Sequence, residues 1–147
     1  MHQLAYNKKI PSLQSVHSIL LLDGKYVLQL RDDKPGIAAR GQWALFGGML
    51  GKGETPLKSI KREIFEELRI KPNKFQYLWF VEYIAELEKK KIRSWFFVAD
   101  VEKVWGRHKL MEGQDVGMFS YEQTKELNMV LVVRKTIARF QKEVILK

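Results

Sequence analysis

The segment from Thr55 to Ile70 constrains the fold most, because it reads as a helix with two faces that need opposite surroundings. Thr55 can offer its hydroxyl to a free N–H of the first turn. Pro56 suits the first helical position, where its missing N–H has no intrahelical partner anyway. At about 100° per residue, Leu57, Ile60, Ile64 and Leu68 fall on one apolar stripe, while Glu63, Glu66 and Glu67 share an arc roughly 100° wide beside it. The stripe needs a core to pack on. The acids need compensation, since carboxylates this close repel each other by about a few tenths of a kcal/mol per pair even in water. A hard divalent cation such as Mg²⁺, which takes oxygen ligands and keeps some of its waters, would supply it. A solvated acidic face is the plain alternative, and the residues ahead of the helix weigh against it. Gly47, Gly48, Gly51 and Gly53 permit close backbone approach, so a carbonyl or N–H of this loop can reach a metal or phosphate beside the helix start.

The run Gly48-Met-Leu-Gly-Lys-Gly-Glu54, followed after seven residues by Arg62-Glu63-Ile-Phe-Glu66-Glu67-Leu-Arg69-Ile70, resembles the Nudix box, Gly-x5-Glu-x7-Arg-Glu-apolar-x-Glu-Glu-x-Gly-apolar. That box belongs to hydrolases that cleave nucleoside diphosphates linked to another group. Two positions near it depart from the family pattern. Arg69 stands where the family has a glycine, at a place where a left-handed residue closes the helix, so an altered helix exit is expected rather than lost chemistry. Phe46 replaces the proline that usually precedes the two glycines. The resemblance implies an α+β fold, a Nudix-like α/β/α sandwich with a central mixed sheet, a catalytic loop and helix, and a C-terminal helix, as one domain over residues 1–147. It also implies roles. Glu63, Glu66 and Glu67 would ligate Mg²⁺ or Mn²⁺ with the backbone carbonyl of Gly47, Arg62 would orient the glutamates, and Glu54 would support the loop or an outer metal shell. Gly48 would approach the substrate.

Other stretches extend the likeness. Ser15 to Leu22 and Lys25 to Arg31 flank Asp23-Gly24 and read as a hairpin. Arg31, at its end, can contact phosphate or simply lie at the surface. Gln76 to Leu87 and Ile92 to Val101 suggest two long aromatic strands joined by a charged turn at Glu88 to Lys91, together supplying the central sheet. Glu112-Gly113-Gln114 resembles the loop that carries a further carboxylate to the metals in MutT-type nucleotide pyrophosphohydrolases, although an exposed turn also explains such a tripeptide. Glu63, Glu66 and Glu112 all remain candidates for the base that activates water. Tyr121 to Leu127 suggests a short helix. Val132 to Leu146 places Val133, Ile137, Phe140 and Val144 at helical spacing for packing on a sheet. Asn128 stands where MutT-type enzymes have an asparagine that helps read a purine, and a capping role explains it equally. His17 reads as a structural histidine, His2 and His108 have no partner visible in sequence, Trp43 reads as core, and Trp79, Trp95 and Trp105 read as buried strand aromatics that could alternatively stack on a base.

Composition limits the classes. The 147 residues suit one domain, and a chain of that size buries about two-thirds of its unfolded surface, enough for a core without staples. There are no cysteines, so thiolate metal sites and thiol nucleophiles are excluded. No apolar run is long enough to span a membrane or serve as a secretory signal, which makes a cytoplasmic protein the expectation. The net charge of +9 surrounds a locally acidic site, an arrangement that steers anionic substrates. RNA is a possible substrate on charge alone, but the basic residues are scattered and no RNA-binding motif accompanies them.

The expected reaction is hydrolysis of a nucleoside triphosphate, intact or damaged, to the monophosphate and pyrophosphate. The alternatives are hydrolysis of a nucleotide sugar or an ADP-ribose-like compound, removal of a 5′ pyrophosphate from RNA, and a sensor that binds without turnover. The proline that marks ADP-ribose enzymes beyond the box has no counterpart between Asn73 and Trp105, and the box glutamates that a sensor usually loses are all present.

Overall fold

The computed structural model describes residues 10–147, so His2 lies outside the described residues. Strands β1 (Leu13–Leu22) and β2 (Lys25–Leu30) form the expected hairpin, with Leu22 opposite Lys25. Asp23 and Gly24 hold φ of 52° and 74°, the pair of positive torsions that matches the twist of the strands. β2 stops one residue short of Arg31. Strands β3 (Trp43–Ala44), β4 (Phe46–Met49), β5 (Gln76–Ile84), β6 (Lys91–Asp100) and β7 (Asp115–Phe119) complete a mixed sheet of order β3-β2-β1-β6-β5, with β4 beside β1 and β7 beside β2. β1 and β6 run parallel, from Leu13 opposite Ile92 to Leu21 opposite Asp100. A parallel pair requires a crossover, and helix α1 (Pro56–Leu68) lies within it.

Of the two aromatic strands only β6 is central; β5 is an edge. β5 also ends earlier than its sequence suggests. At Ala85 the chain enters the turn, where Ala85 N–H donates to Lys90 carbonyl (2.8 Å) and Lys89 adopts a φ of 58°.

The sheet separates two cores. On one face Ile60, Ile64 and Leu68 of α1 meet Val16, Leu20, Val27, Phe46 and Phe97. On the other, helix α3 (Leu131–Phe140) sets Val133, Ile137 and Phe140 against Ile19, Tyr26, Leu28 and Phe96. Each such side chain contributes about 1.5–3 kcal/mol by leaving water. This is the expected α/β/α sandwich, with Phe46 fully buried in place of the usual proline.

Four local expectations need correction. Leu57 is 41% exposed, because the core starts one turn further along the helix; in the first turn the buried position belongs to Ser59, whose hydroxyl accepts from Gly51 N–H (3.2 Å). Val144 is exposed, since the chain widens into a π turn at Gln141–Ile145 after α3 and loses the phase of the stripe. Helix α2 is only Tyr121–Thr124, closed at its start by a reciprocal Ser120 and Gln123 capping box, and the chain continues to Leu127 as turns. The exit of α1 is not altered. Arg69 itself adopts the left-handed shape (φ 58°, ψ 27°) and donates its N–H to Phe65 carbonyl (2.8 Å), with its guanidinium 5.3 Å from the Phe65 ring.

Candidate active site

Thr55 caps α1 as its sequence predicts, its hydroxyl accepting from Lys58 N–H at 3.2 Å, and this start places Arg62 two turns into the helix beside the glycine loop. Arg62 organises the site. Its Nε and Nη2 donate to the Glu54 carboxylate, both at 2.9 Å, and its Nη1 donates to Glu63 (3.2 Å) and Glu66 (3.1 Å). Nη2 also donates to Ser59 Oγ at 3.2 Å. The paired bonds from Arg62 hold the Glu54 carboxyl below its ordinary range, and the same bonds raise the guanidinium further above its own. The glycines are explained by what lies against them. A Cβ on Gly48 would collide with the Glu63 carboxylate, one on Gly51 with that of Glu54, and one on Gly47 with the carbonyl of Val16.

Glu67 is oriented differently. Its carboxylate, 2% exposed as a residue, accepts from Gly47 N–H at 2.8 Å. Burial pushes its pKa up to about 9, the negative charges of Glu112 and Glu63 add to the rise, and the Gly47 bond and the charge of Arg31 oppose it. Burial likewise raises Glu63. Glu112 reaches this pair through the backbone. Lys109 N–H donates to Leu68 carbonyl (3.0 Å) and Met111 N–H to Glu67 carbonyl (2.9 Å), satisfying two carbonyls that the end of α1 leaves free. Gly113 (φ 84°) and Gln114 then close the loop, Gln114 donating from N–H to Leu30 carbonyl and from Nε2 to Arg31 carbonyl, both at 2.8 Å. Among the described residues no three His, Asp or Glu side chains are gathered closely enough to hold a metal ion as they stand. Glu63 and Glu66 are turned to Arg62, and Glu67 to Gly47.

Past Gly47 and Gly48 the loop opens into a cavity of about 800 Å³ on the α3 face, walled by Leu45, Trp79, Val81, Phe96 and Val133. Arg31 lines it near the loop, with Nε donating to Ala38 carbonyl at 3.1 Å. Asn128 is exposed and tied elsewhere: its Oδ1 accepts from Gln42 Nε2 (3.1 Å) and its carbonyl from Trp43 N–H (2.9 Å), two residues before the cavity wall begins at Val130. Trp43 is half-buried against Phe119, Trp95 donates to Gln14 Oε1 (2.9 Å), and Trp105 stacks on His108 at 3.8 Å, so these three serve packing. His17 has a structural partner in Ser15 Oγ (3.1 Å) and stacks on Phe96; burial, helped by the charge of Arg31, pushes its pKa down to about 4.

The family model described as NUDIX domain matches residues 12–140. The chain belongs to the Nudix family. Its fold is similar to that of a MutT protein from Methanosarcina mazei Go1 (24% identity, 92% of this chain and 96% of that one, TM-score 0.75). It is also similar to the Nudix domain of Shewanella oneidensis NrtR complexed with ADP ribose (16% identity, 98% and 99%, TM-score 0.74). A bifunctional NMN adenylyltransferase/ADP ribose pyrophosphatase from Francisella tularensis, complexed with AMP and a manganese ion, matches 97% of this chain over 45% of its own (19% identity, TM-score 0.68). Nudix hydrolases use divalent metals, and the family match together with an intact set of box acids supports pyrophosphohydrolase activity.

Within this Nudix chain three residues, Ser59, Lys109 and Met111, escape sequence reasoning, as does one effect of Arg31. Ser59 ties the loop to Arg62, yet an interior helix serine carries no signal beyond standing three residues before the arginine. The charge of Arg31 acts on Glu67 across strands. Lys109 and Met111 act only through backbone N–H groups, which no side-chain motif records.

Proposed function

We propose that this protein is a metal-dependent pyrophosphohydrolase of nucleoside triphosphates, releasing the monophosphate and pyrophosphate. The observation that carries this reading is the pair of bonds from Lys109 and Met111 to the end of α1, which sets the Glu112 loop beside Glu67 and Glu63. The donor set is all oxygen and, apart from the Gly47 carbonyl, made of carboxylates, and burial and mutual repulsion raise Glu67 and, against the pull of Arg62, Glu63. That chemistry fits Mg²⁺ or Mn²⁺. Glu63, Glu66 and Glu67, with the Gly47 carbonyl and Glu112, would hold the ion. Bound there, it would neutralise phosphate charge and make a water more acidic. Arg62 keeps Glu63 and Glu66 in place through Nη1 and is itself fixed by Glu54. Gly48, with no Cβ, lets the Glu63 carboxylate lie against the loop, and we assign Gly48 to the approach of the substrate. Glu63, Glu66 and Glu112 are the groups available to take the proton from the attacking water.

Hydrolysis of a nucleotide sugar or an ADP-ribose-type compound is the second reading, favoured by a cavity larger than one base requires. A panel of nucleoside triphosphates, nucleotide sugars, ADP-ribose and 5′-triphosphate RNA, assayed with Mg²⁺ and Mn²⁺ and resolved by product, decides between them. Pyrophosphate and a monophosphate from triphosphates is the expected result; two monophosphates from ADP-ribose would replace it. Tight nucleotide binding without any product would instead indicate a sensor.

A further inference from the structure

Across the floor of the cavity runs a row of polar side chains that the hydrolytic chemistry does not use. His17 Nε2 lies 3.1 Å from Ser15 Oγ, Ser15 Oγ is bonded to Ser94 Oγ, and Ser94 Oγ lies 2.9 Å from the Tyr83 hydroxyl. The row crosses three strands, since Ser15 pairs with Ser94 between β1 and β6, and Val81 pairs with Ser94 between β6 and β5. Ser15 and Ser94 are buried, whereas His17 and Tyr83, its two ends, both line the cavity. The His17 end sits under the glycine loop: a Cβ on Gly47 would lie 2.7 Å from Nδ1. From β4 to β5 is three strand spacings, about 14 Å, enough for a nucleotide to lie with its phosphates at the loop and its base at Tyr83.

Proton accounting gives the row a property that no single member has. The hydroxyls of Ser15, Ser94 and Tyr83 and one N–H of a neutral His17 make four donors for three internal bonds. One proton is therefore left over. When it resides on His17 Nδ1, every hydroxyl donates toward His17 and the Tyr83 oxygen is free to accept. When Nε2 carries the N–H, each bond reverses and the Tyr83 O–H is free to donate. Both states keep all three internal bonds, so the row presents either polarity to the cavity without leaving a buried hydroxyl unsatisfied.

We propose that Tyr83, at the end of this row, reads the amino or keto substituent of a nucleobase and accepts either one. The inference rests on the nucleotide reading of the site and adds to it a residue that contacts the base. Adenosine and inosine triphosphates test it, because their bases differ in carrying an amino or a keto group at ring position 6, and ribose 5′-triphosphate serves as the control without a base. The wild type is expected to hydrolyse the two nucleotides with kcat/KM values within about 10-fold of each other. Tyr83→Phe should lower both by about 10-fold through KM, the scale of one lost hydrogen bond, and leave ribose 5′-triphosphate turnover unchanged, which also shows that the variant is folded. Three results would overturn the proposal while sparing the nucleotide reading: a wild-type preference above about 10-fold, a Tyr83→Phe variant that loses only one substrate or neither, or an equal loss on all three compounds. A wild type that turns over neither nucleotide would sink the nucleotide reading and this inference with it.

Discussion

The two faces of the sheet are built on opposite electrostatic plans. On the α1 face, Arg62 and a larger number of carboxylates crowd around the glycine loop, and burial and mutual repulsion raise Glu67 and Glu63. On the α3 face, a cavity with mainly apolar walls and a few charged side chains in its lining, Arg31, Lys135 and Arg139 among them, is floored by neutral hydroxyls and one imidazole whose hydrogen bonds are nearly all internal. One side holds unbalanced charge and the other reversible polarity. On the function proposed above, bond breaking and recognition of the attached group would be carried by different layers, which meet at Gly47, Gly48 and Arg31. Substitutions on the two faces should therefore separate kinetically.

The largest effect falls on the α1 face. Glu67→Gln should lower kcat by about 10²–10³-fold, the scale of removing one group that manages transition-state charge, with KM little changed; a variant that raised KM alone would break the division. Arg62→Ala should follow at about 10–100-fold, the range for residues that orient ligands, because Glu54, Glu63 and Glu66 lose a common partner. On the α3 face, Val133→Ala and Ile137→Ala should each destabilise the fold, Ile137→Ala by about 2–5 kcal/mol in urea unfolding, while kcat of the folded fraction holds.

Titration sharpens the contrast because the faces respond with opposite sign. Glu67 has a folded pKa raised from 4.5 to about 9, so its contribution is fully present below pH 4.5 and is lost as pH rises toward 9. Metal-free protein should lose thermal stability across that window. Mg²⁺ should restore it at pH 8 in the wild type, and Glu67→Gln should flatten the slope. His17, depressed from 6.5 to about 4, contributes stability that is present above pH 6.5 and lost as pH falls through 4. His17→Gln should remove that acid-side loss in melting curves between pH 7 and pH 4. The smallest effect belongs to Arg69→Gly. Relief of the left-handed torsion, offset by loss of the contact with Phe65, should stabilise the chain by about 1 kcal/mol, read as a small rise in Tm with unchanged activity.

Legibility in the sequence follows the same division. The cap at Thr55, the positive torsions of Asp23-Gly24 and the reach of Arg62 to its glutamates are local, set by short spacings along one element, and the sequence pattern carries them. The exposure of Leu57 and Val144 is not local. It depends on where the core starts and on a widened turn, neither of which alters helical periodicity. The floor of the cavity is less legible still, because Ser15, His17, Tyr83 and Ser94 come from three strands and become a row only through the registers of β1 with β6 and of β6 with β5. Asn128 shows the limit from the other side: its place along the chain suggests base reading, while the fold ties its Oδ1 to Gln42 and its carbonyl to Trp43, contacts that no spacing in the sequence announces.

The bonds from Lys109 and Met111 to the last turn of α1 act as a ruler. Between the end of β6 at Asp100 and these two anchors the chain must cover a fixed path, part of it the short 3₁₀ turn at Trp105–Arg107. Residue identity along that path is free wherever only backbone is used, but its count is not. One residue added or removed between Glu102 and His108 would leave the helix, the sheet and every box side chain in place, and would rotate Glu112 away from Glu63 and Glu67.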